Sequence, residues 1–191
     1  MTDASAFLVI AALAAAALLV WFVRLFNRLV AARNASSSAR SSIDVQLVKR
    51  HDLIPNVTRV VAGYAAHERE TLAAVAAARS TAMATLGTPG SAPAEARLEQ
   101  TLGAVMLRAE SYPQLRASDN FLHLQKTLTE IEEQLSAARR AFNAHVLVLN
   151  NLAEQFPTSI VARLMGFGRL EFFGADGAER SPPALAEQLR G

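Results

Sequence analysis

From Phe121 onward the chain carries an apolar series that leaves little freedom of fold: Phe121, Leu124, Leu128, Ile131, Leu135, Ala138, Phe142, His145, Leu149, Leu152, Phe156. The steps alternate strictly between three and four residues, and His145 is the one polar member. A strand turns successive side chains to opposite faces, so only a helix gathers these positions onto one line, as a heptad seam. Ser118 is placed to cap the start and Pro157 to close the end. At 1.5 Å per residue such a helix is roughly 54 Å long, and it needs partners along its whole length to be stable.

Three further segments supply partners of the same kind. Arg24 to His51 continues an apolar stretch that precedes it. Asp52 to Leu86 carries Val57, Val61, Tyr64, Leu72, Val75 and Met83 on one side, and Ala94 to Tyr112 carries Leu98, Leu102, Val105, Met106 and Ala109. The loops are marked by Gly87-Thr88-Pro89-Gly90 and by Tyr112-Pro113. No stretch sustains the apolar alternation of a strand. The expected fold is all-α: an N-terminal transmembrane helix followed by an antiparallel, four-helix-type bundle of long helices over residues 24–174. After Pro157, Ser159 to Met165 is a short helix. GFGRLEFFG, Gly166 to Gly174, has three phenylalanines and is expected to fold back on the bundle or onto lipid. Residues 175–191, with two prolines and scattered charge, read as a disordered tail.

The stretch ahead of the bundle, Ala4 to Val23, is 20 residues without a charge. As a helix it spans about 30 Å, the thickness of a bilayer's hydrocarbon core. The anchoring side chains are Phe7, Leu8, Ile10, Leu13, Leu18, Leu19, Trp21 and Phe22, with the Trp-Phe pair at the end where aromatic rings suit the interface. A cleaved signal peptide is the competing reading, since Ala12-Leu13-Ala14 offers a small-x-small site. Against it, Asp3 and no basic residue precedes a run longer than an ordinary signal core. Arg24, Arg28 and Arg33 follow the span. The positive-inside rule then places the amino terminus outside and the remaining chain in the cytoplasm.

Charge points the same way. The net charge is only +2, yet Arg24 to Arg50 holds six basic residues against one acid, Asp44. A basic run just after an apolar span is placed for anionic lipid rather than nucleic acid, and no nucleic-acid partner is expected. The chain contains no cysteine, which excludes disulfides, thiolate catalysis and cysteine-ligated metal.

Motifs for chemistry are incomplete. His67-Glu68-Arg69-Glu70-Thr71 begins like a zinc-protease helix, but Thr71 stands where the second histidine is required. Gly166-Phe167-Gly168 begins like a dinucleotide loop, but Glu171 replaces the third glycine and no strand precedes it. His51 and Asp52 are adjacent, and neighbours on a helix point about 100° apart, so they do not make an orienting hydrogen bond with each other. A polar layer from His67, Glu68 and His145, holding a metal or serving as an enzyme site, is the alternative to a purely structural role. The first expectation is no cofactor, no metal and no reaction.

Within IDVQLVKRHDLIPN, Ile43 to Asn56, a proline interrupts an otherwise helical pattern. Pro55 has no N–H, so the carbonyl of His51 loses its helical partner. Either the helix kinks there, the preferred reading, or it breaks and Asp52 caps a new one. Arg50 and Asn56 are the nearest candidate donors for the freed carbonyl.

The run Ile43 to Arg79, IDVQLVKRHDLIPNVTRVVAGYAAHERETLAAVAAAR, resembles the signature of the LemA family of bacterial membrane proteins. A second block from Tyr112 to Phe173 and the FNRLVAARN that follows the anchor, Phe26 to Asn34, are of the same type. The signature positions are Asp44, Gln46, Arg50, Asp52, Pro55, Asn56, Gly63, Tyr64, His67 and Glu68. They are read as polar contacts that specify the fold. The chain departs from the pattern at Phe142 and Leu149, where tyrosine is common in the family, and the segment Gly87 to Glu95 is one that varies. The resemblance implies a single amino-terminal span and a helical bundle, and it implies no reaction. The expected function is a membrane-tethered scaffold whose partners are the lipid bilayer, other proteins and, as one form of these, further copies of itself.

Overall fold

The computed structural model describes residues 2–64, 68–88 and 90–174, with side chains described from Phe7 on. Six helices follow in order: α1 Thr2–Tyr64, α2 Arg69–Thr85, α3 Ser91–Ala109, α4 Pro113–Arg116, α5 Asp119–Glu154 and α6 Thr158–Met165. No strand occurs among the described residues. The expected all-α class therefore holds, and the expected tail, residues 175–191, lies outside the described residues. Contacts divide the chain into two compact units, Arg40–Arg139 and the pair Met1–Ala39 with Arg140–Gly191.

The Arg40–Arg139 unit is the four-helix part. Its core holds Ile54, Val57 and Val61 of α1, Val75, Ala78 and Ala82 of α2, Leu98, Leu102, Val105 and Ala109 of α3, and Leu115 and Phe121. Polar contacts fix the directions. His51 of α1 meets Arg79 of α2 and Glu95 near the start of α3, while Tyr112 beyond the end of α3 reaches Glu68 ahead of α2. Glu132 of α5 meets Arg50. Successive long helices thus run in alternate directions. Alanines at Ala78 and Ala82 give α2 a thin inner face, and Met83 beside them is 46% exposed. Tyr64 is equally exposed, so the expected apolar side of this segment is corrected at both residues.

At Pro55 the helix continues rather than breaks, in line with the preferred reading, and the division into segments is what is corrected. The chain does not divide at His51/Asp52: α1 continues through Pro55 to Tyr64, and the next helix starts at Arg69.

In the second unit α1 is bare over its apolar run. Every residue from Phe7 to Trp21 is exposed, Phe7 by 71% and Leu19 by 65%, and Phe22 is the first that is partly covered. Beyond it, Leu29 and Ala32 pack with Leu149 and Leu152 of α5 and Val161 and Ala162 of α6. Gly166 ends α6 with φ +72°, the left-handed cap that glycine adopts without strain, and the N–H of Phe167 bonds the carbonyl of Ala162 at 2.9 Å.

Along α5, Phe121, Ile131, Leu135, Phe142, Leu149 and Leu152 are buried, as the seam predicts. At its far end the seam is wrong by one residue, for His145 is exposed and Val146 is fully buried. At about 100° per residue Val146 lies about 40° from Phe142 around the helix and His145 about 60° on the other side, so a four-residue step continues the buried face more closely than the three-residue step of the seam. Phe156 lies beyond the end of α5 and is 81% exposed, which also departs from the seam.

Candidate functional site

Three ionisable side chains are sealed inside the Arg40–Arg139 unit: Arg50, His51 and Glu95, all at 3% exposure or less. Arg50 and His51 sit on the turn of α1 that precedes Pro55, and Glu95 is in the second turn of α3. Glu95 receives two donors, Arg50 Nη2 on Oε2 and His51 Nε2 on Oε1, the latter at 2.8 Å. Arg50 Nη1 donates at 2.8 Å to Oε1 of Glu132 on α5, whose side chain is 37% exposed. One guanidinium therefore bridges two acids on two other helices.

Burial alone would push the Glu95 carboxyl up, but the bonds from His51 and Arg50 and the charge of Arg50 outweigh it and hold the carboxyl below its usual range. Burial likewise works against the charge of Arg50, and Glu132 and Glu95 together reverse it and raise its affinity for the proton. An ionised carboxylate only accepts hydrogen bonds, so His51 carries a hydrogen on Nε2. Arg50 Nε is the imperfect point: it is buried with no hydrogen-bond partner among the described residues.

The carbonyl released by Pro55 is part of the same cluster. Arg79 Nε donates to the His51 carbonyl at 2.6 Å. The donor is neither Arg50 nor Asn56, as expected from proximity in sequence. Arg50 is committed to the two acids, and Asn56 accepts a bond from Arg59 through its Oδ1. The replacement comes from the adjacent helix, and it pins α2 to α1 at the proline.

The remaining signature positions are distributed. Asp44 is half-buried beside Arg40 at 3.7 Å, and Gln46 holds a buried Oε1 without a hydrogen-bond partner among the described residues. Asp52 and Asn56 are exposed and line a shallow groove with Lys49, Glu130 and Gln134. Gly63 and Tyr64 are exposed. Glu68 accepts from Tyr112 Oη at 3.4 Å and Thr71 Oγ1 at 3.1 Å. His67 lies outside the described residues, and no group of three or more metal-ligating side chains occurs among those described.

A second polar device closes the unit built from Met1–Ala39 and Arg140–Gly191. Asn143 and Asn150 of α5 each clamp the backbone of the returning chain with both halves of the amide. Asn150 accepts from the Leu170 N–H at 2.9 Å and donates to its carbonyl at 3.0 Å. Asn143 does the same for Phe173 at 2.8 Å and 3.3 Å. Seven residues of helix rise about 10.5 Å and three residues of extended chain cover about 10 Å, so the two clamps share one spacing. Phe167 adds an edge contact to Phe26 at 6.1 Å and lies under the Arg33 guanidinium at 5.9 Å. Arg24 and Arg28 are exposed. The expected fold-back of the phenylalanine-rich segment is thus onto α1 and α5.

Sequence reasoning missed Glu95, Arg79, Glu132 and both asparagines. Glu95, Arg79 and Glu132 act across helices and the asparagines on a returning non-helical segment, and the only trace of each in sequence is a polar residue within a helical pattern.

Among the described residues one helix, α1, is long and apolar enough to cross a membrane. The sequence model of the LemA family matches residues 39–186. The chain is 22% identical to magnetosome protein MamQ of Magnetospirillum gryphiswaldense, over 95% of this chain and 78% of that protein. It is 23% identical to magnetosome protein MamQ 2 of Paramagnetospirillum magneticum, over 96% and 78%. It is also 25% identical to protein LemA of Metamycoplasma hominis, over 81% and 71%. A match over residues 39–186 takes in both the Arg50–Glu95 cluster and the asparagine clamps, and on that extent the chain belongs to the LemA family.

Proposed function

We propose that this protein is a membrane-anchored helical scaffold of the bacterial envelope that binds protein partners or lipid and performs no reaction. The observation that carries this reading is α1 itself. One helix holds a bare apolar run from Phe7 to Trp21 and, further on, the Arg50 and His51 that tie three other helices together. The polar groups best suited to chemistry are consumed by one another, and Glu95 is sealed from substrate. Arg24, Arg28 and Arg33 follow the span, which supports an amino terminus outside and a bundle facing the cytoplasm.

A reporter enzyme active only outside the cytoplasm, fused after Gly191, tests the topology: silence is expected, and strong activity reverses the orientation. A photo-crosslinking residue at Val48, 43% exposed on α1, tests the scaffold role in intact membranes. Discrete crosslinked species are expected. Their absence at Val48 and at Leu107, 68% exposed on α3, contradicts a protein-binding role for these faces.

A further inference from the structure

Helix α6 is apolar on two sides, and only one of them is covered. Val161 and Ala162 pack against α1 and α5. Away from them Ile160 is 51% and Leu164 70% exposed, and Phe156, in the turn ahead of α6, is 81% exposed. Arg163 stands beside the stripe, also exposed. Bared apolar residues beside an already covered face call for a second apolar surface, and the place of α6 in the fold says which.

The cluster that α6 joins contains Phe22, Leu25, Phe26 and Leu29 of α1. Phe22 is both the first residue of α1 to gain cover and the last but one of the uncharged run that ends at Val23. Leu29 lies six residues beyond Val23, about 9 Å along the helix axis. The headgroup layer occupies the first several Å outside the hydrocarbon core, and interfacial helices sink about 5–10 Å into the boundary. The surface that holds α6 therefore begins where the bilayer ends.

We infer that α6 is an interfacial helix, with Ile160 and Leu164 embedded in the acyl boundary of the leaflet from which α1 emerges and Arg163 among the lipid phosphates. The proposal rests on reading α1 as membrane-spanning and adds a second lipid contact to it. The occupant of the exposed stripe is the bilayer, because the other face of α6, through Val161 and Ala162, packs in one cluster with Phe22 to Leu29, the stretch of α1 on which the apolar span ends. Arg163 adds the cation that anionic headgroups attract.

The chain has a single tryptophan, Trp21, so tryptophan emission reports depth one position at a time. The full-length protein is reconstituted into phosphatidylcholine–phosphatidylglycerol vesicles whose lipids are brominated near the top of the acyl chains. In a Trp21→Phe background, Leu164→Trp and, separately, Ile160→Trp are compared with unbrominated vesicles. Asn34→Trp is the reference outside the membrane, as Asn34 is exposed about 16 Å beyond Val23. The expected result is loss of most emission at positions 164 and 160, as for wild-type Trp21, with Asn34→Trp unquenched. Quenching of Trp21 without quenching at 164 and 160 overturns the interfacial helix and leaves the anchor standing. Blue-shifted but unquenched emission at 164 also overturns it, because the stripe is then covered by protein. Failure of Trp21 itself to quench removes the anchor reading on which the inference rests, and the inference with it.

Discussion

The proline at position 55 and the arginine at position 79 can be tested as one unit. Pro55 withholds the N–H that would close the helical bond to the His51 carbonyl, and Arg79 Nε takes its place at 2.6 Å. Arg79→Met keeps most of the apolar stem and removes the donor, which leaves a carbonyl unpaired on a residue that is 1% exposed. A hydrogen bond from a charged group is worth about 1.5–3 kcal/mol, and Arg79 is only half-buried, so a loss of about 1.5–2 kcal/mol is expected. Pro55→Ala restores the N–H and improves helix propensity, so alone it is expected to leave the bundle as stable or slightly more stable. In the Pro55→Ala background the carbonyl has a helical donor again, and Arg79→Met is expected to cost about 0.5 kcal/mol or less. The coupling in the double-mutant cycle is then about 1 kcal/mol or more, well above the roughly 0.3–0.5 kcal/mol scatter of independent sites. Urea unfolding of the full chain in detergent micelles, followed by far-ultraviolet circular dichroism, measures all four corners. Additive losses would refute the argument, since Arg79 would then hold α2 for reasons unrelated to the proline.

Other consequences follow from burial and charge. Glu95→Gln leaves Arg50 buried with Glu132 alone, and a loss of about 3 kcal/mol is expected, at the lower end for breaking a buried pair because one acid remains. Glu95 holds its proton less readily in the folded chain than its ordinary value of about 4.3, so its stabilisation is complete above that pH and is lost as pH falls toward the folded value. Acid titration of stability should steepen below that point in wild type and flatten in Glu95→Gln. Leu135→Ala opens a cavity at a fully buried position and is expected to cost about 2–5 kcal/mol, against less than about 0.5 kcal/mol for Glu133→Ala on the exposed face. Comparable melting shifts for the two would mean the register of α5 is misread. Asn150→Ala removes both bonds to Leu170 and should cost about 1–3 kcal/mol, with faster amide exchange at Leu170 and Phe173 as the local readout.

The fold was largely legible because its information is periodic. Leu98, Leu102 and Val105, or Ile131 and Leu135, fall inside on spacing alone. Legibility failed where a single residue departs from a period. The exchange of His145 for Val146 is a four-residue step where the seam takes three, and a helix of about 3.6 residues per turn admits either. At Pro55 the helix continues, as the preferred reading has it, but the donor to the freed carbonyl was hidden, because Arg79 lies 28 positions from His51 and on another helix. The cluster was half visible. Arg50 is a signature position and His51 carries the carbonyl that Pro55 frees, but their partner Glu95 belongs to a segment, Gly87 to Glu95, that varies in the family. Asn143 and Asn150 gave no signal beyond their spacing of two turns, since nothing marks which asparagine faces a returning chain.

The central claim is that this protein works through its outer surfaces, with the Arg50–His51–Glu95 cluster serving only to hold the helices together. The direct test replaces the three together by apolar residues of similar volume, Arg50→Met, His51→Leu and Glu95→Leu, a kind of exchange that leaves helical proteins folded when all members of a buried cluster go at once. The photo-crosslinker at Val48 is read in membranes for the wild type and for the triple variant, with circular dichroism confirming that both are folded. The same crosslinked species in similar yield is the predicted result. A folded triple variant that loses them would show that the buried cluster does something other than hold the fold, and would contradict the account.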